Sequence, residues 1–76
     1  LRSDRRLKKN IKIIGKSDSG LNIYVFEYIN KAFGKGTYQG VMSDDIPKHA
    51  VIKHADGYDR VDYSKLDVEF KNINHV

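Results

Sequence analysis

Leu21-Asn-Ile-Tyr-Val-Phe-Glu-Tyr-Ile29, followed beyond a turn by Thr37-Tyr-Gln-Gly-Val-Met42, is the stretch from which the fold can be read. Residues 21–29 are rich in β-branched and aromatic side chains and carry apolar residues on both alternating faces, which predicts a strand that is central or covered by a partner. Asn30 to Gly36, with two glycines, reads as a turn, and residues 37–42 as the returning strand, so 21–42 forms a hairpin. Upstream, Ile11, Ile13 and Ile14 suit a short strand or an anchoring turn, and the Ser- and Asp-rich run from Gly15 to Gly20 is a loop. Downstream, Asp44-Asp-Ile-Pro47 suits a short helical turn or loop that the proline ends. Residues 50–52 and 58–62 flank Asp56-Gly57, a dipeptide suited to a tight turn because glycine adopts positive φ freely, and this predicts a second hairpin. Tyr63, Leu66, Phe70 and Ile73 recur at spacings of three and four behind Ser64, a capping residue, and predict a short C-terminal helix. Leu66, Val68 and Phe70 also alternate, as they would in a strand. The expected architecture is one α+β domain over residues 1–76, made of antiparallel β hairpins and a short C-terminal helix.

At 76 residues the buried share of the surface is small, and folding alone would be marginal. The chain has no cysteine, which excludes disulfides and thiolate metal sites as staples and leaves association with other copies or with a larger chain as the ordinary supplement. Its 39% hydrophobic and 32% charged residues describe a globular rather than a disordered chain, and five tyrosines and three phenylalanines can anchor a core or an interface. No apolar run reaches membrane-spanning length and no signal-peptide centre is seen, so a soluble protein without a membrane partner is expected. The net charge of +4 is uneven: residues 1–16 carry seven basic side chains against Asp4 alone, while the remainder is net −2. The basic character belongs to the N-terminal segment. It reads as a solvated face. Nucleic-acid binding is the rival reading, but the segment has neither aromatic interleaving nor a recognition-helix pattern. His49, His54 and His75 lack zinc-site spacing, and Gly34-Lys-Gly36 is too short for a phosphate loop, so no metal or cofactor is expected.

Three ordered blocks resemble the intramolecular chaperone family known as peptidase family S74, found at the C-termini of phage tail spikes, tail fibres, endosialidases and neck appendages. They are Ser3-Asp-Arg-Arg-Leu-Lys8-Lys-Asn-Ile11, then Gly40-Val-Met-Ser-Asp-Asp-Ile-Pro47-Lys-His-Ala-Val51, then Asp56-Gly57-Tyr58-Asp-Arg-Val61-Asp62-Tyr63-Ser-Lys-Leu66. The chain departs from that pattern at Ser43-Asp44-Asp45, where relatives commonly carry Ala-Gln-Glu. The resemblance implies a homotrimer that drives trimerisation and folding of the fibre ahead of it in the same polypeptide, assembled in the host cytoplasm and destined for the virion tail. It further implies release of the domain by autoproteolysis of the Arg2–Ser3 bond, with Ser3 as nucleophile, Lys8 as base and His49 as the nearest positional candidate for the histidine that some members use in processing. The alternative within the same resemblance is a trimerisation cap that stays attached and never cuts.

A serine hydroxyl needs a base to take its proton, and a neutral lysine amine serves if its pKa is lowered. Arg5, Arg6, Lys9 and Lys12 crowd Lys8 with like charge, and burial would add to that shift. Five positions along an α-helix rotate by about 500°, leaving Ser3 and Lys8 roughly 140° apart. The dyad therefore requires a turn or irregular segment between them, or a lysine from a neighbouring chain. Taken without the resemblance, Ser3 is a helix cap and Lys8 a surface lysine.

Overall fold

The β-branched and aromatic residues of the 21–29 stretch form the strand around which the molecule is organised. In the computed structural model, which describes residues 1–74, the strands are β1 (Lys8–Lys16), β2 (Asn22–Tyr28), β3 (Thr37–Gly40), β4 (Val51–Ile52), β5 (Arg60–Val61) and β6 (Lys71–Asn72). The first three and the last make an antiparallel sheet in the order β1-β2-β3-β6, and β4 pairs with β5. The strand apolar on both faces is thus internal. Single 3-10 turns lie in the β2–β3, β3–β4 and β5–β6 connections, and no helix of the described residues is long and apolar enough to cross a membrane. His75, one of the three histidines weighed above, lies outside the described residues.

Both predicted hairpins are present. Phe26 faces Tyr38 and Glu27 faces Thr37 across the first, while Val51 faces Val61 across the second, where Gly57 takes φ 84°. The segment around Ile11 is longer than expected, a nine-residue strand bent by two irregularities. Between Lys9 and Lys12 an extra residue opposes β2, and Asn10 takes φ 53° there while its amide donates to Glu27 at 2.7 Å. Such bulges bend and twist a strand.

The short C-terminal helix is not formed, so the α part of the expected fold is corrected: the described chain is antiparallel β with 3-10 turns. Asp62, not Ser64, caps the turn Tyr63–Lys65, accepting both the Ser64 N–H and its hydroxyl, and Leu66 leaves it with extended backbone. The reason is Val68. A helix that buries Tyr63, Leu66 and Phe70 turns Val68 outward, whereas the extended chain sends Val68 into one apolar cluster and stacks Phe70 on Tyr38, ring centroids 5.4 Å apart. β6 then pairs with the free side of β3.

Two apolar clusters meet along Val41-Met42. Met42 packs with Tyr24, Phe26 and Tyr28, and Val41 with Val61 and Val68. Gly40 lets the Tyr63 ring lie against β3, since a methyl group there would run into the phenol oxygen.

Candidate functional site

The N-terminal block folds onto the Val41-Met42 seam, and register explains how. Lys8 faces Tyr28 across β1 and β2, and cross-strand partners project from the same side of a sheet. Tyr28 belongs to the core, so Lys8 is carried into it and is 5% exposed. Its Nζ lies 4.3 Å from the centre of the Phe26 ring, donates to the Val41 carbonyl at 2.9 Å and approaches Met42 Sδ at 3.7 Å. Burial, with Arg5 second, pulls the Lys8 pKa from 10.5 to about 7. Arg5 is thus the neighbour that matters. Arg6 is engaged with Asp4, and Lys9 and Lys12 point to solvent or the surface.

The segment from Ser3 to Lys8 is not an α-helix. A single 3-10 turn spans Arg5–Leu7 and Lys8 is already extended. Asp4, not Ser3, is the cap: its carboxylate accepts the Arg6 N–H at 3.0 Å, the Arg6 guanidinium and the Asp59 N–H at 3.0 Å. Those donors hold its pKa well below the ordinary carboxylate range, the Arg6 side chain contributing most. Ser3 is fully buried, and its Oγ has no hydrogen-bond partner. The Tyr63 phenol, which accepts the Val41 N–H at 3.0 Å, is a close neighbour of that hydroxyl, although the two do not meet in hydrogen-bond geometry. Buried hydroxyls are ordinarily paired, so an orphaned one calls for a functional or structural account.

Backbone contacts hold both sides of the Arg2–Ser3 bond. The Val61 N–H donates to the Leu1 carbonyl at 2.9 Å, the Ser3 N–H to the Asp59 carbonyl at 3.1 Å, and the Ser43 N–H to the Ser3 carbonyl at 2.9 Å. Residues 1–3 therefore run beside β5, with an antiparallel bridge from Arg2 to Arg60. The Arg2 carbonyl itself accepts from the Tyr28 phenol at 2.9 Å, and the Arg2 guanidinium lies 4.1 Å over the Phe33 ring.

Of the residues singled out from the sequence, Ser3 and Lys8 both reach the Val41–Ser43 seam, yet they do not hydrogen-bond to each other. His49 is not brought to them. It sits exposed in the turn Lys48–Ala50, on a groove with Leu21, Pro47 and Leu66. Tyr28, Asp59 and Tyr63 contribute to the site without having been flagged. For the two tyrosines the sequence signal is that a buried phenol must find a partner, whereas Asp59 acts through its backbone and has none. Comparison with family models, with curated proteins and with solved structures finds no match to this chain.

Proposed function

We propose that this chain is the intramolecular chaperone domain of a phage tail fibre or tail spike. In this reading it promotes trimerisation and folding of the fibre ahead of it, during assembly in the host cytoplasm, and releases itself by cutting Arg2–Ser3. The observation that carries the reading is the presence of two unusual groups along one seam: a fully buried serine hydroxyl without a partner, and a buried lysine whose pKa is pulled to about 7. A neutral amine can accept the serine proton, and a site that cuts one bond of its own chain needs neither a substrate pocket nor turnover. The three sequence blocks supply the chaperone part. The exposed Ile13, Ile14, Ile29 and Ile52 are consistent with association.

A second reading, a trimerisation cap that is never released, is favoured by one observation: Lys8 Nζ is committed to the Val41 carbonyl and makes no hydrogen bond to Ser3. Mass spectrometry of a fusion carrying a reporter domain ahead of Leu1 separates the two. Cleavage at Arg2–Ser3 in the wild type, lost in Ser3→Ala and Lys8→Ala, is the expected result; an intact wild type under trimer-forming conditions removes the protease and leaves the cap.

A further inference from the structure

We propose that Tyr28 is a third catalytic residue, whose phenol stabilises the negative charge that develops on the Arg2 carbonyl oxygen during cleavage. The proposal rests on the self-cleavage reading above and adds the group that would hold the oxyanion. Peptide-bond attack places charge on the carbonyl oxygen, and a preorganised donor within about 2.7–3.1 Å of where the charged oxygen comes to lie is a large source of rate enhancement. Tyr28 Oη donates to this very oxygen at 2.9 Å. The phenol is 3% exposed, its ring packed edge-on against Phe26 and Phe33, so the donor is fixed before the reaction starts. Burial raises its pKa to about 12, so it keeps its proton throughout the range in which Lys8 becomes neutral. Register links the two: Tyr28 faces Lys8 across β1 and β2, so one cross-strand pair would supply both the base and the oxyanion donor.

In the proposed sequence, Ser3 Oγ bonds to the Arg2 carbonyl carbon as the Lys8 amine takes the hydroxyl proton, and the C=O pair moves onto the oxygen facing Tyr28. Collapse breaks the C–N bond, Lys8 returning the proton to the Ser3 nitrogen, and leaves an Arg2 ester on Ser3 Oγ. Water then hydrolyses the ester, giving the Arg2 carboxylate and a free Ser3 with its hydroxyl restored.

The test follows cleavage of the reporter fusion against pH in the wild type, in Ser3→Ala, in Tyr28→Phe, and with 3-fluorotyrosine placed at position 28. Tyr28→Phe is expected to lower the rate plateau by about 10²–10³-fold while the midpoint of the pH profile stays that of Lys8. A role in packing alone would instead admit water to Lys8 and move that midpoint upward. The fluorinated phenol, a stronger donor of nearly the same size, is expected to cut faster than the wild type. Wild-type cleavage with an unchanged rate in Tyr28→Phe overturns the proposal and leaves the serine–lysine reading standing. A wild type that never cuts overturns both. Should Tyr28→Phe fail to fold, an unchanged rate in the fluorotyrosine protein overturns the proposal.

Discussion

Lys8 is a lysine placed where water cannot solvate its charge, so protonating it works against the fold. Its pKa falls from 10.5 to about 7 on folding. Between those values the unfolded chain binds a proton that the folded chain does not, and stability therefore rises with pH from about 7 toward 10.5, the full penalty applying below 7. The midpoint of urea unfolding is expected to be higher at pH 9 than at pH 6, and the difference is expected to shrink in Lys8→Met, which keeps the volume and removes the charge. Cleavage, in the proposed function, should rise through the same pH near 7. Asp4 also makes stability rise with pH, in a lower window and through a favoured rather than a penalised charge. Its folded pKa is depressed, so its contribution is present above the ordinary value of 3.8 and is lost as pH falls below it. Asp4→Asn weakens acceptance from the Asp59 and Arg6 N–H groups and is expected to cost about 1–2 kcal/mol at pH 7, measured by chemical denaturation. The direction of the Lys8 shift was legible in the residue string, and the Asp4 effect was not. Crowding by basic neighbours was legible around Lys8, but desolvation, the larger cause, depends on which face of β1 the lysine occupies.

At the scale of elements, the hairpins were legible because each has a local cause: alternating β-branched and aromatic residues on either side of a turn, and glycine where φ is positive at Gly57. The C-terminal segment was not legible, because its apolar residues fit both periods. Spacing of three and four joins Tyr63, Leu66 and Phe70, while spacing of two joins Leu66, Val68 and Phe70, and only the positions of Val41, Val61 and Tyr38 choose between them. Val68 discriminates the two directly. Val68→Ala is expected to destabilise the domain by about 1–3 kcal/mol through lost burial and the cavity left beside Val41 and Val61. In a helix with Val68 turned outward the cost would be near zero, so equilibrium unfolding of this one variant checks the non-helical path of the segment.

For the whole molecule, the question is what covers the sheet edge. β1 is an edge strand nine residues long, and its Ile13 and Ile14 are each more than half exposed. Long edges with apolar residues are liable to pair with other chains unless charge or covering prevents it. In the proposed trimer, sedimentation equilibrium should give three times the chain mass, and Ile14→Glu should shift the population toward monomer; a monomeric wild type at high concentration would remove the trimer. What the sequence determined by itself was local: the central strand, the two hairpins, and the concentration of basic residues before residue 17. The tertiary structure alone decided that Lys8 is buried, that Ser3 Oγ is left without a partner, that Tyr28 donates to the Arg2 carbonyl, and that the C-terminal segment is extended. The difference is physical. Turns and strand propensity depend on neighbours along the chain, whereas desolvation and hydrogen bonding at a buried seam depend on register between strands many residues apart, which no short stretch of sequence contains.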